Sequence, residues 1–221
     1  YEQLAELEQQ YKCALMSNDT LIAINAIEKK AGAFELLNLP DSIINIKLSA
    51  YKMYGEMGAK KDAALCMGPA IDLLIDEGRI EEAKYYQDIY EKESGYWRNG
   101  SIDKRKAIYY FTKGYYYLTI EKTDSAELYF QRLLSPDLTT NHLEAGYRGL
   151  YLLYKKTGQK DSMAKYADLS YLLNDADYSS AATEKMQQMQ ALYNYSRSQK
   201  EASQMKDKAN RNRLLFLATL F

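Results

Sequence analysis

Apolar residues recur at three- and four-residue spacing along most of the chain, in segments separated by residues typical of turns. The breaks lie at residues 38–41, 58, 78, 99–100, 121–124, 135–137, 158 and 174–175. The segments between them are about 20 residues long, which predicts a succession of helices joined by short turns. A periodicity of two helices per unit favours a solenoid of stacked hairpins over a closed bundle. The pattern therefore predicts an all-α fold.

The expected helix ends carry residues that suit them. Aspartate followed by serine or threonine opens four segments, where a short oxygen-bearing side chain accepts hydrogen bonds from unpaired first-turn amides. These aspartates are Asp19, Asp41, Asp124 and Asp161. Gly78 and Gly158 follow segments and suit the left-handed residue that ends a helix. Pro69 lies inside a segment, so we expect a kink or a new helix start there.

Residue sizes in one unit follow a pattern that resembles the tetratricopeptide repeat. That family places a small and then an aromatic residue on its first helix, and a small, an aromatic and an apolar residue on its second. The five positions are occupied here by Gly114, Tyr117, Ala126, Phe130 and Leu133. Residues 151–170, 71–90 and 31–50 match less completely. The resemblance implies a right-handed α-solenoid of tetratricopeptide-like helical hairpins over residues 1–177, with small residues that let paired helices approach closely.

The character of the chain changes after residue 177. Residues 178–213 start with an apolar stripe and then turn polar and basic, which predicts one long helix that caps the solenoid and serves as a linker. Residues 214–221 lack any charge and follow Arg211 and Arg213, as at the beginning of a membrane helix. We expect residues 214–221 to be the start of a truncated transmembrane helix. The alternative is a terminal helix whose apolar end docks on the body of the protein.

Composition leaves little room for catalysis or for nucleic-acid binding. The 221 residues are 47% apolar and 27% charged, with a net charge of −1, as in an ordinary soluble domain. Valine is absent, and a chain without it is poorly suited to building sheets. One histidine, His142, and two cysteines, Cys13 and Cys66, are present, and we expect both cysteines to be buried as small apolar residues. Because the sequence has no phosphate loop, paired-histidine zinc motif or nucleophile elbow, we expect a non-enzymatic protein without metal or cofactor.

Tyrosine is the most unusual component, with 22 copies, many of them between residues 85 and 117. Three consecutive tyrosines at residues 115–117 spread across about 200° of a helix, so some must face solvent or a groove. Exposed tyrosines suit peptide or sugar binding, whereas the alternative is that tyrosine fills wet seams between repeats. A groove would be lined by the first helices of successive units. The residues expected to line it are Asp72, Tyr115, Arg148 and Lys155.

Five short stretches of the sequence carry a second resemblance. They are KRKAIYY at residues 104–110, GYYYL at 114–118, DSAE at 124–127, KYA at 165–167 and MQALYNYSR at 189–197. They are similar to a family of membrane-spanning tetratricopeptide regulators from Bacteroides and relatives, the group around the starch-utilisation regulator SusR. The resemblance implies an extracytoplasmic helical sensor, one membrane helix beginning near Leu214, and a cytoplasmic region with a DNA-binding domain, which this sequence does not include. The basic residues before Leu214 argue against this topology, because they usually mark the cytoplasmic side.

We therefore expect the ligand- or protein-binding sensor domain of a membrane-anchored regulator, located on the periplasmic face of the inner membrane. The alternative is a cytoplasmic tetratricopeptide adaptor that binds a peptide or protein partner. The expected partners are a protein or peptide, with a carbohydrate as the alternative ligand, and a membrane through the C-terminal segment. Nucleic acid would be bound only through a domain outside this sequence. A homodimer is a further possibility that the sequence leaves open.

Overall fold

The computed structural model describes residues 2–174 and 205–206, and the chain forms two compact units, Tyr1–Ser170 and Tyr171–Phe221. The first unit contains the helices α1 (Glu2–Met16), α2 (Thr20–Leu36), α3 (Pro40–Glu56), α4 (Lys60–Asp76), α5 (Ile80–Glu93), α6 (Tyr109–Thr119), α7 (Thr123–Arg132) and α8 (Thr140–Thr157). A further helix, α9, begins at residue 160 and reaches residue 174. Between α5 and α6 lie two short strands, β1 (Trp97–Arg98) and β2 (Ser101–Ile102), and a 3-10 helix, Lys104–Lys106.

Helices that are neighbours in sequence are also neighbours in space within the first unit. Each helix packs against the next one from α1 to α5 and again from α6 to α8. Helix α6 additionally contacts α4 and α8. The predicted breaks at residues 58, 78, 135–137 and 158 all fall between helices, whereas those at 38–41 and 121–124 each extend two residues into the following helix, α3 and α7. The all-α prediction is therefore confirmed for the described residues, in which regular structure is almost entirely helical.

The one strand pair of the described residues is an antiparallel hairpin, in which Trp97 of β1 lies opposite Ile102 of β2. Asn99 and Gly100 form its two-residue turn with φ values of 51° and 74°. Such a turn needs positive φ at both positions, which asparagine and glycine adopt most readily. The predicted break at residues 99–100 is thus the tip of a hairpin.

The predicted helix starts are partly right. The Asp19 carboxylate accepts a hydrogen bond of 3.0 Å from the backbone N–H of Ile22 and caps α2, as expected. The predicted caps at Asp41 and Asp124 are wrong, because α3 and α7 each begin one residue earlier and have no side-chain cap. Asp161 likewise lies one residue inside α9. These carboxylates lie in the first turn of their helices, where their negative charge interacts favourably with the positive end of the helix dipole.

Two expectations concerned residues that interrupt helices. Gly78 and Gly158 have φ values of 73° and 76° and end α4 and α8 in the left-handed conformation, as expected. Pro69 lies inside α4, which runs without interruption from Lys60 to Asp76. A new helix start at Pro69 is therefore excluded.

The best match to the repeat pattern is also a tightly packed part of the unit. Phe130 of α7 is completely buried, and a Cβ placed on Gly114 of α6 would lie 2.6 Å from its ring. A Cβ on Gly149 of α8 would overlap the same ring. Three helices therefore meet on one aromatic side chain, and only glycine allows this approach. Ala126 and Leu133 are buried beside it, as the size pattern predicts.

The predicted C-terminal segments fall almost entirely outside the described residues. Of the linker helix predicted at residues 178–213, only residues 205–206 are described, and they are helical. The predicted membrane segment, residues 214–221, is outside. Among the helices that are described, none has both the length and the apolar character needed to cross a membrane.

Candidate functional site

Three of the four predicted groove residues come together where α4, α6 and α8 face one another. The hydroxyl of half-buried Tyr115 on α6 donates a hydrogen bond of 2.5 Å to Oδ1 of Asp76, one turn after Asp72 on α4. The guanidinium carbon of Arg148 on α8 lies 4.1 Å from the centre of the Phe111 ring, which stacks on Tyr115. Acidic, aromatic and cationic groups thus follow one another across three helices.

Lys155 stands apart from these three residues. It lies on α8, seven positions after Arg148, and its side chain is exposed. Its amino nitrogen lies 5.7 Å from the centre of the Tyr151 ring, and Arg148 instead forms an ion pair of 3.4 Å with Glu144. Residues seven apart share a helix face, so Lys155 extends the same surface without joining the cluster.

Asp72 occupies the most unusual position of the set. It borders two cavities, one of about 340 Å³ next to α5 and α6 and one of about 370 Å³ next to α2 and α3. Its Oδ1 atom is buried, and within the described part of the chain it has no hydrogen-bond partner. A buried acceptor without a partner loses its hydration without compensation. A donor that reached this oxygen from either cavity would restore the missing hydrogen bond.

The electrostatic surroundings of Asp72 disfavour its charged form. Burial and, to a smaller extent, the negative charge of Asp76 raise the pKa of its carboxyl group to about 6. The Thr112 hydroxyl and the Arg148 guanidinium act in the opposite direction but do not compensate. At neutral pH the carboxylate is mostly ionised in a poorly solvated position, which is where an incoming cation or hydrogen-bond donor gains most.

The first cavity is mostly apolar. Its walls include Leu65, Pro69 and the rings of Tyr90 and Tyr109, which stack at 4.3 Å between centroids. Burial raises the pKa of Tyr90 to about 12, with a smaller contribution from Tyr96. Asp72 supplies an acceptor at one point of this wall. The arrangement suits an apolar group that carries a hydrogen-bond donor.

The aromatic-rich region behind the groove packs mainly on itself. Trp97 lies within 6.5 Å of the rings of Tyr109, Tyr110 and Tyr129, and Tyr117 stacks on Tyr129 at 5.6 Å with an interplanar angle of 2°. Such packing favours the interpretation that tyrosines fill seams between helices.

A lysine completes this aromatic cluster. Lys113 is buried, lies 4.8 Å from the Trp97 ring and forms an ion pair with Glu91. The aromatic faces near Lys113 are thus already occupied by a cation of the chain itself.

The residues with reactive side chains lie away from the groove. Cys66 is buried, and burial raises the pKa of its thiol to about 12, whereas Cys13 is exposed, so the expectation that both are buried is wrong for Cys13. The Nδ1 atom of His142 lies 2.7 Å from the Thr139 hydroxyl in the first turn of α8. Among the described residues, no three histidine, cysteine or acidic side chains are placed to hold a metal ion.

Comparison with known proteins reveals a shared fold and no assigned family. No family model matches the chain, and no curated protein matches it. The crystal structure of BtubC (BKLC) from P. vanneervenii is similar, with a TM-score of 0.59 and 17% sequence identity over 79% of this chain and 74% of that one. At this level of identity the likeness concerns the fold alone.

Proposed function

We propose that the first unit is a non-enzymatic binding module that holds a peptide segment of a partner protein. In this proposal the helices stack as tetratricopeptide-like hairpins in a right-handed α-solenoid, and α2, α4, α6 and α8 line its inner face. The contacts of α6 with both α4 and α8 support this arrangement, because first helices of successive repeats are adjacent in a solenoid. The size pattern around Phe130 supports it as well.

The observation that carries the proposal is the unpartnered Oδ1 atom of Asp72 between two cavities. A peptide offers backbone N–H groups and side-chain donors at regular intervals, so it can fill a cavity and satisfy this oxygen together. Tyr115 and Arg148 provide the next contacts along the face, since aromatic and arginine side chains are enriched among residues that dominate binding energy.

A selection from a random library of 12-residue peptides, displayed on their messenger RNA, tests this function with the whole 221-residue chain as target. We expect the selection to enrich peptides that bind the Asp72→Asn variant at least about tenfold more weakly than they bind the unchanged chain, because the substitution removes the charge of a buried acceptor. Asp168→Asn, at an exposed position on α9, is the matched control and should bind as the unchanged chain does. Arg148→Gln should weaken binding by at least about fivefold, which is the level of a contributing interface residue.

Two results would contradict the proposal. The first is a selection that enriches no peptide. The second is a set of peptides that bind the Asp72→Asn and Arg148→Gln variants as tightly as the unchanged chain, since they would occupy another surface. Circular dichroism spectra of each variant separate a loss of binding from a loss of structure.

For the setting of this module we propose the sensor domain of a membrane-anchored regulator on the periplasmic face of the inner membrane. The basic residues up to Arg213 and the uncharged residues 214–221 support a membrane anchor. A topology reporter fused behind the complete membrane segment of the gene tests this setting. If the module is periplasmic, the reporter behind the segment lies in the cytoplasm, which is the expected result. A periplasmic reporter would place the module in the cytoplasm and favour the alternative, an adaptor for a peptide tail.

A further inference from the structure

The cavity between α2, α3 and α4 has an acidic rim. Glu28 and Glu35 of α2 and Asp72 of α4 all border its space of about 370 Å³. Glu28 is neutralised by the amino group of Lys47 at 2.9 Å. Within the described part of the chain, neither Glu35 nor Asp72 forms an ion pair, and the buried Oδ1 atom of Asp72 accepts no hydrogen bond. An exposed carboxylate, Glu35, and a poorly solvated one, Asp72, thus border one cavity without an ion-pair partner.

A glycine keeps this cavity open. Gly32 lies inside α2, four positions after Glu28 and three before Glu35, so the three share one helix face. A Cβ on Gly32 would have no atom within 4 Å, so no packing neighbour requires glycine here. Glycine inside a helix is less stable than alanine by about 1 kcal/mol. What glycine provides at this position is the space in front of it.

Apart from Lys47, which is paired with Glu28, the remaining walls of the cavity are apolar. Ala31, Ile43, Pro69 and Leu73 contribute carbon surface around the acidic rim. An arginine or lysine side chain has the complementary construction, an apolar stem with a charged end. The cavity volume is at the lower end of the roughly 300–1,000 Å³ found for ligand sites, which fits one long side chain. Because no three acidic groups among the described residues are placed to hold a metal ion, an elongated organic cation fits the rim better.

We infer that this cavity receives an arginine or lysine side chain of the bound peptide, with its charged end between Glu35 and Asp72. The inference rests on the proposed function and specifies its ligand. The cation supplies the missing donor to Asp72 and the missing counter-charge to Glu35 at once.

Parallel selections from the same 12-residue library test the inference. The targets are the unchanged chain, Glu35→Lys, which reverses the rim charge, and Gly32→Leu, which fills the cavity without changing charge. Glu81→Lys on α5 alters an exposed residue by the same charge and is the control for the first variant. Gly55→Leu on α3 is the control for the second, because a Cβ there also meets no atom within 4 Å.

We expect arginine and lysine to be enriched in the peptides selected by the unchanged chain and by both controls, and to lose this enrichment with Glu35→Lys and Gly32→Leu. Replacing the enriched arginine by citrulline, its uncharged analogue, should lower affinity at least about tenfold. Gly32→Leu should raise helix stability while it abolishes this preference, which excludes unfolding as the reason.

The possible failures are distinguishable. Peptides that depend on Asp72 and Arg148 but contain no required cation would overturn this inference and leave the proposed function standing. An enriched cation that persists in Glu35→Lys and Gly32→Leu would also overturn it, since the cation would bind elsewhere. A library that yields no binding peptide overturns both.

Discussion

The buried carboxyl group of Asp72 should make the stability of this protein depend on pH in a predictable direction. Its pKa is about 6 in the folded chain, above the value of about 3.9 expected in an unfolded one. The folded state therefore binds the proton more tightly than the unfolded state. Consequently the contribution of Asp72 to stability falls as pH rises from about 4 to about 6 and stays constant above that range.

The size of this effect follows from the difference between the two pKa values. A rise from about 3.9 to about 6 corresponds to about 3 kcal/mol of destabilisation once pH exceeds both values. Asp72→Asn removes the ionisation and with it this loss. The amide has its own burial penalty, but that penalty is the same at every pH. The diagnostic quantity is therefore the change with pH in the stability difference between the two proteins.

Urea unfolding followed by circular dichroism at pH 4 and at pH 8 measures this quantity. We expect Asp72→Asn to gain about 2–3 kcal/mol relative to the unchanged chain between the two pH values. Other titrating groups are common to both proteins and cancel in the difference. Asp168→Asn, which alters an exposed carboxyl group, should show a much smaller change. If the difference in unfolding free energy between Asp72→Asn and the unchanged chain were the same at pH 4 and pH 8, Asp72 would not be a poorly solvated carboxyl group. It would then give no reason to expect a ligand at the groove.

Further predictions concern packing and capping, and urea unfolding measures each. Gly149→Ala should lower the free energy of unfolding by about 1–3 kcal/mol or more, because its Cβ overlaps the Phe130 ring. Gly32→Ala should raise the free energy of unfolding by up to about 1 kcal/mol, because its Cβ enters open space. Equal effects of Gly149→Ala and Gly32→Ala would refute the claim that close packing on Phe130 requires glycine. Asp19→Ala should cost about 1 kcal/mol through loss of a cap, whereas Asp124→Ala should cost less than about 0.5 kcal/mol.

The sequence was most informative where a physical signal repeats. Helical periodicity and glycine at turns located most helices of the first unit, because burying one face imposes the same spacing on every helix. The hairpin at residues 97–102 was missed because each strand has two residues, too few for any period to be visible. The caps predicted at Asp41 and Asp124 were misplaced by two residues, because an aspartate suits both the cap position and the first turn.

The candidate site was predicted only in part for a different reason. Asp72, Tyr115 and Arg148 follow from the repeat register, which assigns them to the same face of successive first helices. Glu35 and Gly32 were not predicted, since the repeat pattern is weak over residues 31–50. One signal was available in the sequence, a glycine in the middle of a helical segment without a turn to explain it. Its meaning depends on which neighbouring helix faces it, and that is decided by tertiary packing.

The costly position of Asp72 and the tight packing around Phe130 are connected through α6. Helix α6 is held against α7 and α8 by the approach of Gly114 to Phe130, and its opposite neighbour is α4, where Asp72 lies. Destabilised groups persist in proteins where function requires them and the surrounding packing compensates for them. A poorly solvated carboxylate beside such a well-packed helix is consistent with the proposed binding of a partner, because asparagine would fill the same space without the pH-dependent loss of stability.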